Sequence, residues 1–419
     1  MGGTFSPREW GGLEVNVVSD VRRLIIISNG HGEDAIGAAI ARELARLGLE
    51  PLPLPLVGSG NAYARAGFPV LGPRREMPSG GFVRFNPKAL LADLRSGWLA
   101  MTREQVRVLR AAASGAATLV VGDLYGLFLG SRYGGRPLFQ VQPLVSVRYP
   151  GAQGLEALEH LPAQRFLLPE RLLMHRAARV YPRDPESAAW LQARGVAHAV
   201  CLGNPLLDAV FGEAPLEPSP PYLLLLPGSR ADAYFSLPIM LEAVRELRPL
   251  TLTPVVAWSG LDLGGLQAPG WALERLIGRE VGVTHTLIHL DGTRVFLAQG
   301  AFKSALLGSK LAFSTSGSAA EQAAGYGVPL VGFPTPGPQY TASFARAQQQ
   351  LLGKALTLTL PYPREVAQAA RALLHHPQAY QAAQEEGKKA MGVPGAARRI
   401  AEDIAAYLRY LPQISSHTR

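Results

Sequence analysis

Apolar strands that run into glycine-rich turns and then into helices recur along this 419-residue chain, and no other feature restricts its fold as much. Leu24 to Ser28 is such a strand, Asn29-Gly30-His31-Gly32-Glu33-Asp34 is the turn, and Ile36, Ile40, Leu44 and Leu47 come next at helical spacing. The same grammar predicts strands at Thr118–Val121, Arg179–Tyr181, Val200–Leu202, Tyr222–Leu226, Pro254–Trp258, Leu311–Ser314 and Pro329–Phe333. Strands that are apolar throughout need cover on both faces, so the expectation is an α/β chain of parallel sheets flanked by helices.

A chain of this length exceeds one comfortable core, which predicts two domains. The segment Phe211 to Pro221 carries four prolines immediately before a strand and is the expected linker. The expected boundaries are a tail at 1–20, an N-terminal domain at 21–210, a linker at 211–221 and a C-terminal domain at 222–393. A closing helix at 394–412, with Ile400, Ile404 and Leu408 at helical spacing, is expected to pack back across the domains.

Hydrophobic residues make up 47% of the chain and charged ones 17%, which excludes disorder for its bulk. A net charge of +9 favours an anionic partner, either a phosphate-bearing substrate or an acidic membrane surface. Nucleic acid is not expected, because the cations are dispersed and no aromatic-basic module is present. One cysteine, Cys201, cannot make an intrachain disulfide, and a reducing, cytoplasmic setting is expected. The nine histidines show no zinc spacing, so neither a metal nor a cofactor is expected. The first residues lack the pattern of a signal peptide, and the best spanning candidate, Ala111 to Gly130, is interrupted by Asp123 and several glycines.

Three turns sit between a strand and a helix, where free N–H groups and the helix dipole attract anions. The first is Ser28 to Asp34, which matches neither a Walker loop nor a dinucleotide fingerprint. The second is Leu226-Pro227-Gly228-Ser229-Arg230, where the glycine admits a ligand close to the backbone and the guanidinium fork suits phosphate. The third is Ser314 to Glu321. It reads equally as a phosphate loop with a sugar-binding carboxylate or as a capping box formed by Ser318 and Glu321. Between residues 74 and 101, Phe82, Phe85 and Trp98 alternate with arginines; this is either an interfacial membrane segment or an ordinary amphipathic helix.

Gly58 to Gly67, Leu202 to Asp208, Leu226 to Arg230 and Ser316 to Glu321 resemble, in order and spacing, motifs of the bacterial lipid-A-disaccharide synthases. From about Arg22 to Tyr410 the chain is more similar to the divergent lipid-A-disaccharide synthase-related proteins. The resemblance implies the GT-B fold, two Rossmann-like domains facing a central cleft, with the nucleotide donor on the C-terminal domain and the acceptor on the N-terminal one. It implies inverting transfer of a GlcNAc-type sugar from a UDP-sugar to a lipid-linked acceptor at the inner membrane face, without metal. Carried over, Gly228, Ser229 and Arg230 would meet the diphosphate, as would Ser316, Gly317 and Ser318; Glu321 would hold the ribose and Gln339 the donor sugar.

Inversion needs a base, and Asp123 at a strand end lines up with the family's aspartate, although Leu124 to Phe128 departs from the family's continuation after that position. In the first turn Glu33 and Asp34 either orient the acceptor or cap the helix, and His31 is a second candidate for the base. Two alternatives keep the fold: a UDP-sugar epimerase, which needs several acid/base groups, and a non-catalytic sugar-nucleotide or lipid binder.

Overall fold

The computed structural model describes residues 21–74, 95, 97–149, 166–337 and 339–410. Its first sheet is built from β1 (Arg23–Ser28), β2 (Glu50–Pro55), β3 (Ala116–Val121), β4 (Leu138–Gln142) and β5 (Arg179–Pro182). All five strands are parallel, in the order β2-β1-β3-β4-β5. β2 reads Glu-Pro-Leu-Pro-Leu-Pro and still pairs along its whole length with β1. Prolines at every second position lack only the N–H groups that would point off the sheet edge, so the ladder survives.

The second sheet holds β6 (Tyr222–Leu226), β7 (Thr253–Ala257), β8 (Trp271–Arg275), β9 (Gly282–His289), β10 (Arg294–Gln299), β11 (Ser309–Ser314), β12 (Leu330–Gly332) and β13 (Leu356–Leu358). Its order is β13-β12-β11-β6-β7-β10-β9-β8. Six strands run parallel, but β9 is antiparallel to both β10 and β8, so this sheet is mixed where the apolar pattern predicted parallel pairing throughout. The alternation of β9 and β10, half polar, marks a hairpin with one wet face. The expected strand at Val200–Leu202 is also absent; only Ala199 bridges to Val180, and the chain continues as an extended loop.

The apolar strands bury as expected: Leu24 to Ile27 and Leu223 to Leu225 are solvent-free. Each sheet has helices on both faces, and together they form the two α/β halves of a GT-B fold. One core cluster runs through both halves. In it Ile36 and Ile40 of helix His31–Arg46 meet Ile400, Ile404 and Leu408 of helix Ala396–Arg409, so the last helix packs on the first half after the chain has built the second. The Tyr181 hydroxyl donates to Asp403 at 2.7 Å, and Phe139 packs edge-on to Tyr407.

Among the described residues no helix is long and apolar enough to cross a membrane. Phe82 and Phe85 lie outside the described residues. Trp98 opens helix Trp98–Ala112 and, half-buried, packs against Tyr125 beside Val57 and Met101.

Candidate functional site

The C-terminal ends of the parallel strands in both sheets carry the turns that sequence reasoning singled out. In the second half they surround a cavity of about 680 Å³. Gly228, Ser229 and Arg230 after β6, Ser316, Gly317 and Ser318 after β11, and Gln339 after β12 all line it. Seven expected donor-site residues, drawn from three separate loops, therefore share one crevice of a size suited to a small ligand.

The local geometry explains the convergence. Gly228 has φ +98°, a conformation a side chain would resist, and this brings the backbone after β6 against Thr315. Gly317, not Ser318, is the N-cap of helix Ser318–Gly325, and no side chain caps that end. The capping-box reading is thereby excluded. Gln348 donates to the carbonyls of Ser316 and Gly317, and because each peptide is planar and trans, the N–H groups of Gly317 and Ser318 point the opposite way. Arg230 donates to Oε1 of Gln339 at 2.5 Å. The loop bearing Gln339 is pinned by Asp232, whose Oδ2 accepts from Thr335 Oγ1, Gln339 N and Tyr340 N.

Glu321 does not line this cavity. It stands between the lining residues Ser318 and Gln322, and its Oε2 is bound by Arg183 of the first half at 2.5 Å, with the Tyr149 hydroxyl 3.4 Å from Oε1. Sequence reasoning missed Gln348, Asp232 and Arg183, which act through loops distant in sequence. It also passed over Arg65, which reaches the cavity from the first half and sits in a quoted motif.

The first half gathers carboxyl groups. Asp123 follows β3 and caps helix Leu124–Tyr133 by accepting from Tyr125 N at 3.1 Å and Gly126 N at 3.5 Å; the Asn29 side chain also bonds it. Burial, only partly offset by these bonds, raises its carboxyl above the usual range. Glu33 is buried, its stem against the backbone of Gly122, and burial together with the charges of Asp123 and Asp34 pushes it up to about 8. Asp34 accepts from Ser28 Oγ at 2.6 Å, which also meets the Tyr63 hydroxyl at 2.9 Å, and burial lifts it to about 7. Glu170, absent from the sequence-based candidates, is held by Gln142 and Gln140, and burial raises it to about 7. His31 is exposed at the start of its helix, its ring beside Gly58. Among the described residues no His/Cys/Asp/Glu group is arranged to hold a metal.

Beside Asp123 an apolar groove of about 520 Å³ is lined by Leu124, Tyr125, Phe128, Leu172 and Leu173, with Arg176 at its edge.

No protein-family model matches the chain, and no curated protein matches it in sequence. Solved structures do match in fold. S. aureus MnaA in complex with UDP is 16% identical with a TM-score of 0.57, covering 93% of this chain and 97% of its own. UDP-GlcNAc 2-epimerase from Neisseria meningitidis, bound to UDP-GlcNAc, is 13% identical with a TM-score of 0.52, covering 92% and 100%. The calicheamicin glycosyltransferase CalG4 is 16% identical with a TM-score of 0.57, covering 94% and 100%. The fold defined by the two facing sheets is thus GT-B over nearly the whole chain, shared with structures of both kinds.

Proposed function

We propose that this chain is a nucleotide-sugar enzyme that holds the diphosphate of a UDP-sugar in the cavity of its second half and moves protons with carboxyl groups of its first. The carrying observation is the convergence of Gly228, Ser229, Arg230, Ser316, Gly317 and Ser318 on one crevice, with N–H groups turned from Gln348 and Arg230 fixed by Gln339. Free N–H groups and a guanidinium suit a pyrophosphate. Arg65 adds a cation from across the cleft, and Glu321, one helical turn beyond the lining residue Ser318, receives the ribose.

Epimerisation of the sugar is the reaction these groups support best. Inverting a carbon takes a proton from one face and returns one to the other, so one group must be ionised while another is protonated. Glu33 and Glu170, raised to about 8 and 7, both feel the charge of Asp123, and Glu33 also that of Asp34, raised to about 7; together these carboxyls supply both states near neutral pH. The 2-epimerase among the structural neighbours agrees with this reading.

The apolar groove supports a second reading, transfer of the sugar to a lipid-linked acceptor with Asp123 or His31 as base. Phe128 and Leu172 are 48% and 60% exposed there, beside the helix that Asp123 caps, and Arg176 suits an anionic headgroup or membrane surface. The calicheamicin glycosyltransferase among the structural neighbours, and the resemblance of four motifs to lipid-A-disaccharide synthases, favour it.

Incubation with UDP-GlcNAc alone separates the two. A new epimer without acceptor supports the first; sugar transfer that requires added glycolipid supports the second. Millimolar UDP should raise the melting temperature in either case, because a ligand that binds only the native state stabilises it. No shift with UDP or UDP-sugars sinks both.

A further inference from the structure

Arg183 and Glu321 form an ion pair between the two halves, with side chains only 5% and 11% exposed. Arg183 belongs to none of the four motifs that carry the sequence resemblance: it follows β5 in Tyr181-Pro182-Arg183-Asp184, and its guanidinium also touches Met391 Sδ. A second arginine of the first half, Arg148, holds Glu186 with two bonds and donates to the carbonyls of Lys389 and Ala390 at the end of helix Pro377–Met391. That helix packs on helix Ser318–Gly325, so the surroundings of Glu321 are fixed from both sides of the cleft.

We propose that Arg183 is a positioning residue of the donor site: it orients Glu321 so that the free lone pairs of its carboxylate accept the vicinal hydroxyls of a nucleotide's pentose. The inference rests on the nucleotide-sugar reading above. A carboxylate offers roughly four acceptor positions. Arg183 takes one on Oε2 and Tyr149 approaches one on Oε1, which leaves positions for two hydroxyls. Without the guanidinium, the carboxylate would lose the partner that fixes its orientation and be left buried and unpaired. The first half thereby completes a site whose phosphate-binding turns belong to the second, and pentose recognition depends on the halves being together.

The test compares UDP with 2′-deoxy-UDP by calorimetry on the full chain and its variants. Wild type is expected to prefer UDP by about tenfold, the value of a hydrogen bond to a charged group. Arg183→Met should reduce that preference to within about twofold, as should Glu321→Gln, with 2′-deoxy-UDP, which keeps only the 3′-hydroxyl, losing less affinity than UDP. A purely structural role would instead weaken both ligands equally, and that result, or an undiminished preference, overturns the inference. Arg183→Lys carries the test if the methionine variant does not fold. A lysine ammonium cannot reproduce the placement of the guanidinium nitrogen on Oε2, so the preference should fall at least about threefold, and an unchanged preference overturns the proposal. Wild type that binds both ligands equally removes the role of Glu321 and this inference alone. Wild type that binds neither removes the nucleotide reading as well.

Discussion

Gln348 donates its side-chain amide to the carbonyls of both Ser316 and Gly317, at 3.1 and 3.0 Å, and so decides which way the third turn's peptide groups face. Its Oε1 in turn accepts from the Tyr340 hydroxyl at 2.7 Å. Gln348→Leu keeps the volume and removes both donations. UDP affinity should fall about tenfold, and the melting temperature should also drop, because the Tyr340 hydroxyl loses its partner at a cost of about 1–3 kcal/mol. Calorimetry with UDP, beside a thermal melt, measures both; unchanged affinity in a destabilised variant would mean that the turn's orientation does not serve the ligand.

The buried carboxyls predict a stability that declines as the solution becomes alkaline. Glu33, Asp34 and Glu170 hold their protons more tightly folded, at about 8, 7 and 7, than their unfolded values of 4.5, 3.8 and 4.5. A carboxyl raised in this way contributes stability that is complete below its unfolded value and is lost as pH climbs through its folded one. Glu33→Gln mimics the protonated form, so the variant should gain on wild type between about pH 5.5 and 9, by on the order of 2 kcal/mol. Urea unfolding at the two pH values reads the gain, and a difference that does not grow with pH would show that Glu33 ionises freely in the folded chain.

The groove beside Asp123 makes a separable prediction. Leu172→Asp places a charge on an exposed apolar wall that shares no residue with the cavity of the phosphate-binding turns. Binding to phosphatidylglycerol vesicles should fall at least about fivefold, since a carboxylate both opposes the anionic surface and removes apolar contact. UDP affinity should not change. Vesicle binding equal to wild type would take away the observation that favours a lipid acceptor.

Much of this architecture could be read from the sequence because strands buried on both faces are written as unbroken apolar runs; β1, β3, β6 and β11 fall where those runs lie. β2 escaped because its three prolines disguise a strand, and only its place at the sheet edge makes them tolerable. β8 to β10 escaped because a hairpin with a wet face alternates polar and apolar residues between loops of ordinary composition. The phosphate-facing turns were legible because glycine and serine between strand and helix leave few other uses. Gln348, Asp232, Arg183 and Glu170 were not, since each acts on a loop or half that its own neighbourhood does not mention, and only the packed chain brings them to the site.

Helix Ala396–Arg409 couples the halves through apolar contact, and one pair of substitutions measures how firmly. Ile404 is fully buried against the first half, whereas Glu402, one turn from the Arg398 it pairs with, faces solvent. Ile404→Ala removes most of a buried side chain and should cost about 2–5 kcal/mol, including the cavity left where helix His31–Arg46 cannot close up. Glu402→Ala breaks an exposed helical ion pair and should cost less than about 0.5 kcal/mol. If urea denaturation found the two variants alike, the last helix would not be part of the core that the first half needs. A large loss confined to Ile404 would instead mean that the chain's closing segment finishes the fold of its opening one.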